Sequence, residues 1–255
     1  MTISLDWLPA TAFTYLILFA RICAMMMLMS ALGEQMIPMR MRFGFALAFT
    51  MVLFPLLSGI IPTMPNDLGG MIGLLAHELA IGLMIGAIIR ITVMATQVAG
   101  AIVAFQTGLS GAMAADPTMS GMQSAVFASF LSFLGVTLIF ATDLHHVALA
   151  AIYDSYMVFG PADPLMFEDA MQMAIRTVAG AFTIGVQMAA PFIVFGLVFN
   201  LGAGILARLM PQLQVYFVLM PANIIVGLLL FAILLTMMMG WYLTAFESHL
   251  AMWRG

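Results

Sequence analysis

Long runs without a charged residue restrict the fold of this sequence more than any other feature. These runs are residues 43–66, 91–115, 117–142, 177–207, 209–246, and an earlier run, 7–33, that is interrupted only by Arg21. Each is longer than the ~20 residues that a helix needs to cross the hydrocarbon of a bilayer. A charge at the bilayer centre costs roughly 2.5 to 3.5 kcal/mol, so these runs are the membrane-compatible segments. The chain is therefore predicted to be a membrane protein.

The composition of the runs favours helices. Ala, Leu, Met and Gly dominate them, and they show neither a period of two nor the ~10-residue units that a transmembrane barrel needs. We predict an all-α, polytopic membrane protein with a single membrane-embedded helical domain over residues 1–255. Residues 68–106 and 171–207 are too long for one simple span, so we expect each to bend or to overhang the bilayer, and a break or a hairpin within them is a further alternative. Since lipid cannot satisfy a hairpin's backbone groups, such helices are expected to be packed in an assembly.

The polar connections are too short to form a soluble domain. They are residues 34–42, 62–68, 107–121, 143–169 and 208–214. By the positive-inside rule, Arg40, Arg42 and Arg208 are the best cytoplasmic markers, and the acidic 143–169 segment is the best outside marker. The formal net charge is −4 and no basic stripe is present, which makes nucleic acid an unlikely class of partner.

Two polar clusters invite a metal or catalytic interpretation, and neither supports it. His77 and Glu78 begin an H-E-x-x-H pattern, but residue 81 is isoleucine. Glu78 is instead expected to pair with Arg90 or with a partner chain. The segment 143–146 reads D-L-H-H, yet adjacent residues on a helix point about 100° apart, so a polar cap is favoured over a metal site. We predict no enzyme activity, no metal and no cofactor.

Glycine patterns predict close helix packing. Gly82 and Gly86 form a GxxxG pair. Gly202 and Gly204 lie in an apolar run without the βαβ context of a dinucleotide site, so packing explains them as well. Residues 107–121 read T-G-L-S-G-A-M-A-A-D-P-T-M-S-G, a composition typical of a close-fitting loop between two apolar runs.

At this loop and beyond, the chain resembles the FliR/SctT family, the export-gate proteins of flagellar and virulence type III secretion systems. The likeness spans nearly the whole chain and is greater to the flagellar branch. It is carried by Arg21, residues 38–42, 78–86, Gly100, 105–110, Asp116, Pro117, 143–146, Ala207, Arg208, 211–216, Pro221 and Gly227. At Gln214, Leu219 and Asn223 the family usually has asparagine, glycine and lysine, respectively.

The resemblance implies a non-enzymatic subunit of the flagellar export gate in the bacterial inner membrane, at the flagellar basal body. FliP-like and FliQ-like subunits would form with it a closed conduit for unfolded export substrates, with FlhB-like protein alongside and lipid around the complex. The resemblance implies that one loop helps to plug the conduit, and its residues are Phe105, Gln106, Gly108, Leu109, Ser110, Gly111, Met113, Asp116, Pro117, Met119 and Gly121. Candidate structural or partner contacts are Glu78, Arg90, Asp143, His145, His146, Arg208, Pro211, Gln212 and Pro221.

The sequence leaves one alternative function open. A secondary transporter or small-solute channel would use intramembrane ionisable groups, here Glu78, Arg90 and Asp143, at broken helices. No internal repeat supports that class. A solute-binding monomer would favour it, whereas co-purification with two small, highly apolar chains would favour the export gate.

Overall fold

The protein is described here from a computed structural model that covers residues 8–29, 38–109, 122–161, 163, 167–210 and 215–251. These residues form seven helices and contain no strand, which confirms the all-α prediction. The helices are α1 (Leu8–Leu28), α2 (Met39–Leu57), α3 (Leu68–Gln106), α4 (Met122–Ala141), α5 (Leu144–Val158), α6 (Phe167–Leu209) and α7 (Val215–Ala251).

Five helices are long and apolar enough to cross a membrane, which confirms the polytopic prediction. They are α1, α2, α3, α6 and α7. A sixth candidate span consists of α4 and α5 taken together, with a short break between them. Only 11% of the most apolar window of α7 is buried within the chain, so most of this helix offers its side chains to lipid or to another protein.

Of the alternatives predicted for the two long apolar segments, the structure shows unbroken helices that exceed one span, and neither a break nor a hairpin. α3 is one helix of 39 residues and α6 is one helix of 43 residues, and Pro191 lies inside α6 without ending it. Both helices are longer than one span, so overhang rather than interruption accounts for their length. The chain breaks instead at Thr142 and Asp143, where Asp143 adopts a left-handed conformation with φ 59°.

The prediction that residues 143–169 form a polar connection was wrong over most of that segment. It contains α5, a helix of 15 residues. Its buried positions Ala148, Ala151, Ile152, Ser155 and Tyr156 recur at spacings of three and four residues. Scattered charges hid this packed face, because a charge-based division of the chain treats any charged stretch as a connection.

Two compact units make up the chain. Unit 1 comprises Met1–Ile91, Thr142–Thr177 and Ser248–Gly255, and unit 2 comprises Thr92–Ala141 and Val178–Glu247. In unit 1, α1 packs on α2, where the Tyr15 hydroxyl donates a hydrogen bond to the Leu47 carbonyl oxygen at 2.8 Å.

The GxxxG pair of α3 packs against α1, which confirms the packing prediction. A Cβ at Gly82 would lie 2.5 Å from the Arg21 carbonyl oxygen, and a Cβ at Gly86 would lie 2.8 Å from the Met25 carbonyl oxygen. Real Cβ atoms essentially never approach other atoms so closely, so glycine is required at both positions for the two helices to touch. This contact fixes the depth of α1 relative to the first half of α3.

Unit 2 has its own core, in which Phe127, Phe192 and Phe231 are buried and Phe231 makes an edge contact with Phe127 at a centroid distance of 4.9 Å. The packing prediction for Gly202 and Gly204 was wrong within the chain. A Cβ at either position would meet nothing within 4 Å, so these glycines are not needed for any contact inside the described structure.

Candidate functional site

Unit 1 contains a buried ion pair between Arg21 and Glu78. The Arg21 side chain on α1 and the Glu78 side chain on α3 are both 0% exposed. The Arg21 Nε atom donates to Glu78 Oε2 at 2.6 Å, and Nη2 donates to Oε1 at 2.8 Å. This two-pronged geometry is the strongest that a guanidinium and a carboxylate can form.

The remaining contacts of Arg21 come from the segment around α5. Its Nη1 atom donates to the carbonyl oxygens of Ser155 at 3.1 Å and Phe159 at 2.9 Å. The guanidinium carbon lies 4.0 Å from the centroid of the Tyr156 ring, whose face attracts a cation. We call Arg21, Glu78, Tyr156 and these two carbonyl groups the Arg21 centre. Four of the five guanidinium N–H groups are satisfied there, which is what a buried arginine requires.

His77 connects the Arg21 centre to the connection after α5. Its Nε2 atom lies 2.8 Å from the carbonyl oxygen of Asp163, so this nitrogen carries a hydrogen and donates it. Its Nδ1 atom lies 3.8 Å from Glu78 Oε1. That distance is too long for a hydrogen bond, and Nδ1 has no hydrogen-bond partner among the described residues. The imidazole therefore contacts the backbone at Asp163 on one side and lies beside the buried Glu78 carboxylate on the other.

The prediction that Glu78 pairs with Arg90 was wrong, because Glu78 is occupied by Arg21. Arg90 is exposed on α3, and it forms no ion pair within the described residues. The sequence pattern marked Arg21 as the charge within residues 7–33, but it did not predict Arg21 as the partner of Glu78. The available signal was a lone arginine inside an otherwise charge-free run, since a buried arginine needs an anion.

The second candidate site is the C-terminal end of α3, in unit 2, where the predicted plug loop begins. Thr107 is 0% exposed, and its hydroxyl donates to the Val103 carbonyl oxygen at 2.9 Å. A Cβ on Gly227 of α7 would lie only 2.6 Å from the Thr107 methyl group, so glycine at that position leaves room for Thr107. Gly108 follows with φ +72°, a conformation that favours glycine. The turn is thus held against α7.

Asn223 closes the packing around this turn. A Cβ on Gly108 would lie 2.7 Å from Asn223 Nδ2. The Oδ1 atom of Asn223 is buried and has no hydrogen-bond partner among the described residues. On α6, Gly196 leaves room for the side chain of Gln106. We call residues 105–109 with Gly196, Asn223 and Gly227 the loop neck.

The outer side of the loop neck is open. Phe105 is 72% exposed, although it is a large aromatic residue next to the buried Ala104. Within the predicted plug, Phe105, Gln106, Gly108 and Leu109 are therefore placed by the structure. The other members lie outside the described residues: Ser110, Gly111, Met113, Asp116, Pro117, Met119 and Gly121.

The D-L-H-H segment brings its side chains closer than expected from their sequence spacing. The ligand atoms of Asp143, His145 and His146 lie within 4.8 Å of one another, and the two imidazole centroids are 4.0 Å apart. Asp143 occupies the N-cap position of α5, but its side chain makes no capping hydrogen bond. The predicted role as a polar cap therefore holds for position and not for hydrogen bonding.

The remaining candidate contacts lie near the end of α6 and the start of α7. Arg208 is in the last turn of α6, where a cation interacts favourably with the helix dipole, and it is exposed. Pro221 lies inside α7 and is exposed. Pro211 and Gln212 lie outside the described residues.

The sequence profile of the family described as "Bacterial export proteins, family 1" matches residues 12–249. The chain belongs to this family. It is 46% identical over 230 residues to the flagellar biosynthetic protein FliR of Caulobacter vibrioides, with 89% of this chain and 91% of the relative covered. It is 30% identical to the FliR protein of Bacillus subtilis, with 89% and 86% covered.

A relative named for protein translocation is also similar. The Yop proteins translocation protein T of Yersinia pestis is 24% identical over 237 residues, with 92% of this chain and 90% of the relative covered. These relatives confirm the resemblance to the FliR/SctT family. The matched residues 12–249 include the Arg21 centre and the loop neck.

Proposed function

We propose that this protein is a non-enzymatic subunit of the flagellar type III export gate, embedded in the bacterial inner membrane at the basal body. FliP-like and FliQ-like chains form the closed conduit with it, FlhB-like protein joins them, and unfolded flagellar proteins are the cargo. Support comes from family membership and from 46% identity to a flagellar FliR protein, against 24% to the Yop proteins translocation protein T. The exposed apolar faces of α6 and α7 suit burial by companion subunits.

The observation that carries the gating part of the proposal is the loop neck. Thr107 and Gly108 are packed against α7, whereas Phe105 beside them is exposed. Because the first residues of the loop are packed against α7, only the length of the loop limits how far its tip can extend. A loop anchored in this way is suited to closing a conduit. The loop over residues 105–121 is proposed to close the conduit, and Phe105 is proposed to contact a companion subunit there.

Arg90 is the most distinctive candidate partner contact. It is exposed on an apolar helix that is long enough to span the membrane, and arginine stays charged. An unpaired charge in hydrocarbon costs roughly 2.5 to 3.5 kcal/mol, and an anionic side chain on a companion subunit would remove that cost. Arg208, Asp143, His145, His146 and the segment with Pro211, Gln212 and Pro221 are proposed as further structural or partner contacts.

The gating proposal is tested by deleting residues 108–121 from the chain in the reconstituted complex. The deletion removes the loop, and we expect the complex to assemble but to conduct small ions. Single-channel recording in planar bilayers measures the conductance. Gly240→Ala is the matched control, since a Cβ at Gly240 of α7 would meet nothing within 4 Å. Unchanged conductance after the deletion would contradict the plug assignment.

The transporter or small-solute channel is the less favoured function. Glu78, which that function would use as an ion-carrying group, is 0% exposed and held by two hydrogen bonds from Arg21. Affinity purification in mild detergent separates the two functions. Recovery of two small, highly apolar chains in fixed ratio supports the export gate, whereas a solute-binding monomer supports a transporter.

A further inference from the structure

Unit 1 contains a pocket that none of the functions above uses. Its volume is about 290 Å³, close to the lower limit of ~300 Å³ for ligand pockets. Its apolar walls come from Ile81 and Met84 of α3 and from Met173 of α6. Its polar groups are His77, Asp163 and Asp169. We call this the His77 pocket.

The His77 pocket has a surplus of negative charge. The charge of Glu78 behind it is balanced by Arg21, but Asp163 and Asp169 form no salt bridge in the part of the chain that is described. Among the described lining residues, none is lysine or arginine. His77 donates its Nε2 hydrogen to the Asp163 carbonyl group, so it adds no anion-binding donor there. An occupant with a positive end would complement this lining.

The shape of the lining points to a particular kind of cation. Long apolar walls beside two carboxylates match a side chain with an aliphatic stem and a charged head, as in lysine and arginine. The volume is suited to one such side chain, whereas a lipid would also have to bring its glycerol backbone and acyl chains. The pocket is therefore better suited to a protein partner than to a lipid.

The His77 pocket shares two residues with the surroundings of the Arg21 centre. Phe159 lines the pocket, and its carbonyl oxygen accepts a hydrogen bond from Arg21 Nη1. His77 lines the pocket, and its Nδ1 atom lies 3.8 Å from Glu78 Oε1. An occupant of the pocket would therefore press on the groups that hold the buried ion pair.

We propose that the His77 pocket binds a lysine or arginine side chain of a neighbouring subunit of the export complex. The stem lies along Met84 and Met173, and the cationic head lies between Asp163 and Asp169. This proposal rests on the proposed function, because it needs a companion chain. It adds to that function a defined docking position and the chemical class of the partner's anchoring residue.

The test uses the complete complex purified in mild detergent, with Met84 replaced by an aliphatic diazirine amino acid of similar length. Irradiation forms adducts with whatever lies in the pocket, and mass spectrometry identifies them. We expect an adduct with a companion-subunit peptide that contains lysine or arginine. In the variant Asp163→Asn with Asp169→Asn, the yield should fall about fivefold, which corresponds to roughly 1 kcal/mol.

The variants are chosen to keep the local structure. Asp163 Oδ2 accepts a hydrogen bond from the Gly160 N–H group at 2.8 Å, and an asparagine oxygen can accept the same bond. Glu168→Gln is the matched control, because Glu168 is an exposed carboxylate in the same first turn of α6 as Asp169 but does not line the pocket. Its adduct yield should equal that of the unmodified complex.

The outcomes separate the pocket from the wider proposal. Three results would contradict the His77 pocket as a docking site, even if the companion subunits co-purify. They are an adduct with lipid, an adduct only within the chain, and an adduct yield that is unchanged by the Asp163→Asn and Asp169→Asn substitutions. Failure of every variant, the control included, to co-purify with companion subunits would instead contradict the proposed function.

Discussion

The Arg21 centre and the loop neck differ in how their buried polar groups are satisfied. In the Arg21 centre a charge is buried in an apolar unit, and Glu78 and two carbonyl oxygens satisfy four of its five donors. In the loop neck the packing is equally tight around Thr107 and Gly108, yet the buried Asn223 Oδ1 has no hydrogen-bond partner among the described residues, and Phe105 is 72% exposed. The first site is satisfied by groups of the described chain, whereas the second has a polar atom and an apolar side chain that no described residue satisfies or covers.

This difference distinguishes buried polar groups that stabilise the fold from buried polar groups that are available for a contact. Burying an ion pair costs several kcal/mol in desolvation per ion, so the pair is stable only when its remaining polar atoms are also hydrogen-bonded. Those hydrogen bonds hold both side chains in one geometry. A buried oxygen without a partner costs about 1 to 3 kcal/mol, so it is retained where something else supplies the donor in the working state. We therefore propose a scaffolding role for the Arg21 centre, and a role in movement or in partner contact for the loop neck.

The largest expected effect comes from removing the negative charge of the Arg21 centre. Glu78→Gln leaves the Arg21 guanidinium buried without a counter-ion, and the loss of stability should be about 3 to 5 kcal/mol. We expect the complex to lose this subunit or to unfold at a clearly lower temperature. Thermal unfolding of the purified complex, followed by intrinsic fluorescence, measures the change.

A double variant shows whether charge is the cause. Adding Arg21→Met to Glu78→Gln removes the stranded cation, so part of the lost stability should return. Glu247→Gln, which changes an exposed carboxylate, serves as the control and should shift the midpoint little. If the double variant is less stable than Glu78→Gln alone, packing by the arginine stem outweighs the ion pair and the scaffolding assignment fails.

The next effect concerns the loop neck. Gly108→Ala forces a Cβ into a backbone with φ +72° and towards Asn223 Nδ2, at a cost of about 1 to 2 kcal/mol. Because the strain falls where the loop leaves α3, we expect the closed complex to leak ions while unit 1 stays folded. Conductance of the reconstituted complex and thermal unfolding are measured on the same preparation.

Gly240→Ala provides the comparison for Gly108→Ala. Gly240 is helical and exposed, so alanine there should stabilise α7 by about 0.5 to 1 kcal/mol and leave the conductance unchanged. Equal conductance in the Gly108→Ala, Gly240→Ala and unmodified complexes would show that the neck does not govern closure.

Most of the membrane-spanning segments could be predicted from the sequence, because the free-energy cost of a charge in hydrocarbon limits where they can lie. Charge avoidance in hydrocarbon identified residues 177–207, which lie within α6, and residues 209–246, which cover most of α7. It did not delimit α3, because that helix contains Glu78 and Arg90. Charge avoidance was misleading for α5, where the apolar face that packs in unit 1 is interrupted by Asp154 and by the histidines before it. Periodicity over residues 144–158 carried that information, and a charge-based division ignores it.

The partners of the buried charges could not be predicted from the sequence. Arg21 and Glu78 are 57 residues apart, and Arg21 and Ser155 are 134 residues apart. Helix spacing constrains only neighbours within about four residues, so it names no partner for Glu78 on another helix. Arg90 could have been its partner only if α3 were broken, because 12 residues of one helix separate the two by about 18 Å along the axis. The close approach of α1 to α3 at Gly82 and Gly86 decides the pairing, because it places Arg21 over Glu78 and leaves Arg90 exposed.

The smallest expected effect compares two buried tyrosines. The Tyr156 hydroxyl of unit 1 donates to the Leu18 carbonyl oxygen at 3.4 Å, whereas the Tyr242 hydroxyl of unit 2 is buried with no partner among the described residues. Tyr156→Phe should cost about 0.5 to 1 kcal/mol, because the ring still faces Arg21 and only a long hydrogen bond is lost. Tyr242→Phe should be neutral or stabilising by about 1 kcal/mol, since it removes an unsatisfied hydroxyl.

Thermal unfolding of the two single variants in the assembled complex decides between two explanations of the Tyr242 hydroxyl. If Tyr242→Phe is stabilising and Tyr156→Phe is destabilising, the polar group in unit 2 lacks a partner even in the complex. If Tyr242→Phe destabilises the complex by more than Tyr156→Phe does, a companion subunit, a buried water or a residue outside the described ranges satisfies that hydroxyl. The second result would extend to Tyr242 the contrast drawn from Asn223, whose Oδ1 atom has no hydrogen-bond partner among the described residues.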